Sequence, residues 1–159
     1  MMMAAGATVQ IRVFTLADYP WALDLWTRIE GLGLTESDAP AAVAAFLDRN
    51  PAFSAVAVSD AGDVVGAVLW GHNGRAGSLH HLAVDKRYRG QGFGRALVEY
   101  CLSKLDAADI PRCNIFVYTE NEQGNRFWLR TGWNDPTAWK VLQKRVEERK
   151  PTRVRGQDE

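Results

Sequence analysis

Six consecutive residues, Arg89-Gly90-Gln91-Gly92-Phe93-Gly94, combine three glycines with an arginine, and Arg95 follows directly. Glycines let successive backbone N–H groups converge on one point without Cβ atoms in the way, and such a concavity binds anions. A helix beginning at Gly92 to Arg95 would add about half a positive charge at its N-terminus, and Arg89 and Arg95 could each add a charge-assisted bond of about 1.5–3 kcal/mol. The chemistry expected of this turn is the grip of a diphosphate. It lacks the Gly-Lys-Ser/Thr of a triphosphate-binding loop, and no acidic residue ends a strand about 20 residues on, as a dinucleotide-binding fold requires.

Groups capable of proton transfer lie close by in sequence. His80 and His81 stand just before Leu82 on a strand pattern, and strand neighbours point to opposite faces, so only one of the two can face a ligand. Tyr118 sits on the next strand pattern. The plain reading of all three is that they are packed sheet side chains with satisfied hydrogen bonds.

These residues need a scaffold, and the periodicity supplies one. Gln10 to Phe14 reads as a strand, and Thr15 with Asp18 has capping-box spacing. Ala22, Leu25, Trp26 and Ile29 then mark the buried stripe of a helix that stops near Gly31 and Gly33. A shorter helix carries Val43, Phe46 and Leu47. Strands follow at Phe53 to Val58, Val64 to Trp70 and about Ser78 to Val84, separated by Asp60-Ala61-Gly62-Asp63 and Asn73-Gly74 turns. Phe93, Leu97, Cys101 and Leu105 stripe a helix that ends at Asp109-Ile110-Pro111. Beyond it come a strand from Asn114 to Tyr118, a helix capped by Asn121 and ended by Gly132, and a last strand from about Trp139 to Lys144. The order predicts an α+β fold with helices on both faces of a mixed sheet. Residues 1–9 are expected to be a flexible N-terminus, 10–146 a single domain, and 147–159 a mobile charged tail.

Leu82-Ala83-Val84-Asp85-Lys86-Arg87-Tyr88-Arg89-Gly90-Gln91-Gly92-Phe93-Gly94 resembles the GNAT superfamily signature, a Leu-Ala-Val-type strand end followed by Arg/Gln-x-x-Gly-x-Gly/Ala. A second family motif is matched in register by Asn121, Gly124, Phe127, Trp128, Arg130, Gly132 and Trp133. The resemblance implies a central mixed sheet of about six to seven strands. It also implies an N-acetyltransferase that moves the acetyl group of acetyl-CoA to a primary amine by direct attack in a ternary complex. On that basis Leu82, Ala83 and Val84 would pair with the pantetheine arm, while Arg89, Gly90, Gln91, Gly92, Phe93, Gly94 and Arg95 would hold the pyrophosphate. Asn121 and Trp128 would complete the cofactor side.

The nearest branch resembles the bacterial ribosomal-protein alanine acetyltransferases, with two departures. Trp128 stands where that branch has a tyrosine acid, and Phe116 where it has a glutamate base. An indole N–H donates a hydrogen bond but is no acid at neutral pH. These losses leave a non-catalytic acyl-CoA-binding or sensor module as the alternative. For an enzyme, His80 becomes the catalytic candidate by similarity to arylalkylamine acetyltransferases, which place a histidine two residues before the motif leucine, with Tyr118 as the second. Trp21, Trp26 and Trp70 could form an apolar acceptor pocket shaped by Arg28, Glu30 and Glu36.

Composition limits the partners. The 159 residues are 47% hydrophobic, enough for one core, and 19 basic residues balance 19 acidic ones. No net field draws such a chain to nucleic acid or an anionic membrane. Two cysteines fall short of a disulfide framework, and no apolar run approaches the roughly 20 residues of a membrane span, so a cytoplasmic protein is expected. The expected partners are acetyl-CoA and an amine acceptor, either a small molecule or a peptide N-terminus, with no metal. The resemblance also admits a homodimer.

Overall fold

The computed structural model describes residues 6–29, 32–135 and 138–146. Its first strand, β1 (Val9–Val13), leads to Thr15, whose N–H is accepted by Asp18 Oδ2 at 2.9 Å while the Asp18 N–H returns to the Thr15 carbonyl at 2.9 Å. This is the reciprocal cap expected from the Thr15/Asp18 spacing. Arg12 grips the same carboxylate with two bonds of 2.8 Å, and that hydrogen bonding holds Asp18 below the usual carboxylate range against the opposing effect of burial. Helix α1 (Tyr19–Arg28) then buries Ala22, Leu25 and Trp26, as a 3.6-residue period requires.

A one-turn segment at Glu36–Asp38, capped by Thr35, introduces α2 (Pro40–Arg49). The meander follows as β2 (Ala55–Ser59), β3 (Val64–His72) and β4 (Gly77–Val84), and then come α3 (Phe93–Ala107), β5 (Cys113–Ile115) and α4 (Glu122–Arg130). Strand order matches chain order, antiparallel from β1 to β4, while β5 joins β4 in parallel. The helical connection through α3 makes that parallel pairing possible.

Alternation along the strands divides the core between two faces. Val56, Ala67, Leu69 and Ala83 pack with Leu25, Trp26 and Val43 of α1 and α2. Ala55, Ala57, Val68 and Leu79 pack on the other face with Leu97, Cys101 and Leu105 of α3 and Trp128 of α4. Helices therefore cover both faces, as expected.

The strand count is lower than expected. Among the described residues the sheet has five strands, and Trp139 to Lys144 is not one of them. Alternation alone does not make a strand, because the backbone groups need a partner. Trp139, Val141 and Leu142 are instead exposed. The strand expected from Asn114 to Tyr118 is the shorter β5, and residues 116–118 have left the sheet. Residues 1–5, the expected tail at 147–159 and Glu30 lie outside the described residues. Among the described residues no helix is long and apolar enough to cross a membrane.

Candidate active site

β4 and β5 pair only at Gly77–Cys113, Ser78–Asn114 and Leu79–Ile115. Past that point the two segments part, so Leu82, Ala83 and Val84 keep β3 on one side and, among the described residues, have no strand partner on the other. A bulge accompanies the parting. Between the pairs Ala67–Ala83 and Leu69–His80, two residues of β4, His81 and Leu82, oppose the single Val68. His81 takes φ 53°, the left-handed region that few side-chain-bearing residues occupy.

The bulge corrects the strict alternation expected at the two histidines. His80 packs edge-on against Phe46 of α2, with ring centroids 5.7 Å apart, and His81 packs against Trp26 of α1 at 5.4 Å, so both lie on the α1/α2 face. His81 Nε2 is 2.6 Å from Asp38 Oδ1. The other oxygen of Asp38 accepts the Thr35 N–H at 2.8 Å, its carbonyl accepts the Tyr19 hydroxyl at 2.6 Å, and the Trp26 indole donates to the His81 carbonyl at 2.9 Å. Burial, and after it the neighbouring His81, hold the His80 imidazole below its usual range, with Asp38 acting in the opposite sense.

Past Val84, Asp85 caps a short turn by accepting the Arg87 N–H at 2.9 Å. Its carboxyl is held below the usual range by the hydrogen bond from the Arg87 side chain, and Arg28 lies 3.5 Å away. Arg89 folds back so that Nε donates to the Val84 carbonyl at 3.1 Å. Gly90 and Gly92 adopt φ 73° and 85°, and a side chain built on either would meet only open space. Gly92 is the N-cap of α3, no side chain caps that end, and no acidic residue sits in the first turn. The leading N–H groups of a 15-residue helix are thus left for an anion.

A cavity of about 750 Å³ joins these parts. Its walls are Leu82, Ala83 and Val84 of β4, the turn from Arg89 to Arg95 without Gln91, and Asn121, Phe127 and Trp128 of α4 and its cap. Of the cofactor residues expected from sequence, Gln91 alone is absent from the wall. The sequence reading quoted Lys86 and Arg130 only as motif positions and did not name Arg126, yet all three cations line the cavity. Arg126 and Arg130 are one helical turn apart on α4, a spacing that could have flagged them. Among the described residues, no Asp or Glu lines the cavity.

Asn121 caps α4 by accepting the Gly124 N–H at 3.0 Å, so its side-chain oxygen is engaged locally. Trp128 is buried between Phe127 and Trp133, at ring distances of 4.9 and 5.0 Å. His80 and Tyr118 are not brought to the cavity wall. Tyr118 is exposed and lies against Gly33 in the loop after α1. The expected tryptophan pocket does not form either: Trp26 and Trp70 are buried in cores on opposite faces and Trp21 is exposed, because helix and strand periodicity sends them to different layers. Of the residues expected to shape such a pocket, Arg28 pairs with Asp24 and Asp85, and Glu36 with Arg145.

Comparison with known proteins agrees with this geometry. The model of the acetyltransferase (GNAT) family matches residues 19–133. An acetyltransferase of Sodalis glossinidius is 32% identical over 114 residues, which cover 72% of this chain and 79% of that protein. The ribosomal-protein-alanine N-acetyltransferase of Brucella melitensis biovar Abortus has a similar fold, with TM-score 0.66 at 20% identity over 86% of this chain and 99% of that one. So has the aminoglycoside N-acetyltransferase AAC(6')-Iy, solved with the bisubstrate analogue CoA-S-monomethyl-acetylneamine, with TM-score 0.69 at 17% identity over 87% and 99%.

Proposed function

We propose, for a chain that belongs to the acetyltransferase (GNAT) family and is an acetyl-CoA-dependent N-acetyltransferase, that the cavity beside β4 seats the diphosphate of acetyl-CoA on the N-terminus of α3 and presents the thioester to a primary amine near the bulge. One observation carries this reading: the uncapped start of α3 and the unpartnered edge of Leu82–Val84 open onto the same cavity. The first is built for an anion and the second for an extended polar chain.

In this reading Gly90, Gly92, Phe93, Gly94 and Arg95 hold the diphosphate through backbone N–H groups, with Arg89 and Arg95 adding charge. Gln91, which lies off the wall, has no direct part in this grip. The edge of Leu82, Ala83 and Val84 bonds the pantetheine amides, and Asn121 and Trp128 close the other wall. The cations Lys86, Arg89, Arg95, Arg126 and Arg130 in the lining favour a polyanionic ligand.

Direct attack in a ternary complex is the simplest chemistry for such a cleft. The bisubstrate analogue held by the aminoglycoside enzyme joins CoA to an acceptor and supports the same arrangement here. Placement of the amine against the thioester can supply up to about 7–11 kcal/mol, and a backbone N–H of the split strand can polarise the carbonyl. The thiolate leaves from a thiol of pKa near 8.5 by analogy with cysteine, so it needs little acid assistance, and Trp128 in place of a tyrosine is tolerable. Deprotonating the amine at pH 7 costs about 4.6 kcal/mol for a lysine-like group and about 1 kcal/mol for an α-amine. His80 and Tyr118, away from the wall, would take part in that step only from the acceptor end of the cleft.

The test is turnover. The protein is mixed with acetyl-CoA and a panel of amino acids, polyamines and peptides with free N-termini, and thiol release is followed. Amine-dependent release is expected, and its absence from protein that binds acetyl-CoA would contradict transfer.

A further inference from the structure

Resting on the diphosphate reading above, we propose that Arg126 and Arg130 of α4 bind the phosphate monoester on the ribose 3′ oxygen of acetyl-CoA, and so let the enzyme tell acetyl-CoA from an acyl donor that lacks this phosphate. Arg126 stands outside both sequence motifs, so the selectivity is a property of this chain's own α4.

The packing of α4 places the two arginines beside the diphosphate seat. A Cβ on Gly94, in the first turn of α3, would stand 3.6 Å from Val84 Cγ2 and 3.7 Å from Phe127 Cζ, so β4, α3 and α4 meet at that point. Gln123, Arg126, Phe127 and Arg130 have the i, i+3, i+4, i+7 spacing of one helix face, and all four line the cavity. Glu122, Asn125 and Leu129, at positions between them, do not. The Arg130 guanidinium carbon lies 6.0 Å from the centre of the Phe127 ring, which keeps that cation close to the start of α3.

Both guanidinium groups are free for a ligand. Among the described residues the carboxylates in ion pairs are Asp18, Asp24, Glu36, Asp38 and Asp85, none of them on α4. Glu122, one helical turn before Arg126, is not paired with it. Both arginines are exposed, so an incoming anion need displace no protein partner.

Charge matching then assigns them. A diphosphate diester carries two negative charges, and Arg89, Arg95 and the roughly half charge at the start of α3 answer those. Two more unpaired cations on the facing wall call for a second anionic group. Acetyl-CoA has one, a monoester that carries about −1.5 to −2 charge at pH 7. With the thioester near the bulge, the pantetheine on Leu82–Val84 and the diphosphate at α3, the adenosine end is the part still to be seated, and the α4 stripe is the wall it has left. Guanidinium forks suit the oxygens of such a phosphate, since two parallel N–H groups can each donate to one.

Calorimetry on the full chain tests the assignment with two ligands, acetyl-CoA and acetyl-dephospho-CoA, and two proteins, the wild type and Arg126→Gln/Arg130→Gln. The wild type should bind acetyl-CoA about fivefold tighter, the scale of one or two solvent-exposed charge contacts. In the double variant the two ligands should bind alike, with the affinity for acetyl-dephospho-CoA within about twofold of wild type. Comparing two ligands within each protein cancels any general loosening of the fold. The wild-type preference should also shrink as salt rises from about 0.05 M to about 0.5 M, because exposed charge contacts are screened. Equal binding of the two ligands by the wild type, a preference that survives in the double variant, or an equal loss of both ligands there overturns the proposal and leaves the diphosphate seat standing. Binding of neither ligand by the wild type overturns the diphosphate reading itself, and this proposal with it.

Discussion

Gly124 and Asn121 are fitted to each other: a Cβ on Gly124 would stand 2.5 Å from Asn121 Nδ2, and its N–H donates to Asn121 Oδ1 at 3.0 Å. The glycine lets the asparagine close the first turn of α4, and that cap sits on the cavity wall. Gly124→Ala is expected to displace the asparagine and cost about 1 kcal/mol of stability, the usual worth of an N-cap. Urea denaturation measures the loss. Calorimetry should show weaker acetyl-CoA binding in the same variant.

Gly92 offers a sharper test of the anion site. Its φ of 85° disfavours any side chain, and an added carboxylate would face the partial positive charge of α3 and the bound diphosphate together. Gly92→Asp should weaken acetyl-CoA at least 100-fold and Gly92→Ala less, as read by calorimetry.

The Arg12–Asp18 pair gives stability a signature in pH. Asp18 titrates lower in the folded chain than in the unfolded one, chiefly through its hydrogen bond to Arg12. The contribution is therefore fully present above about pH 4, where unfolded aspartates are ionised, and is lost as pH falls through the depressed value. Arg12→Met should cost about 1 kcal/mol at pH 7, a modest figure because the Arg12 side chain is 43% exposed. The gap between wild type and variant should narrow as pH falls below the ordinary aspartate range in denaturation curves.

The two thiols should be quiet. Burial raises both, Cys113 to about 12 and Cys101 further, so neither supplies thiolate at neutral pH. A thiol reagent at pH 8 should label the native protein slowly, the unfolded protein fast, and leave turnover unchanged over the time in which free cysteine reacts fully.

What could be read from the sequence was local. Gly90 and Gly92 were legible because a positive φ leaves few other residues to choose, and the Thr15/Asp18 cap because its partners are three residues apart. The Asp38–His81 contact was not, since 43 residues separate its members and a bulge set by β3 decides which way His81 points. The strand expected at Trp139 to Lys144 failed for the complementary reason. Its alternation described side chains, but pairing depends on a neighbour that the pattern could not supply.

The central claim is that the start of α3 grips a diphosphate, and comparing ligands with and without that group tests it most directly. Calorimetric titration with acetyl-CoA, acetyl-dephospho-CoA and acetyl-pantetheine should give affinities for the first two within about tenfold of each other, and at least 100-fold weaker binding of the third. Acetyl-pantetheine binding as tightly as acetyl-CoA would contradict the account.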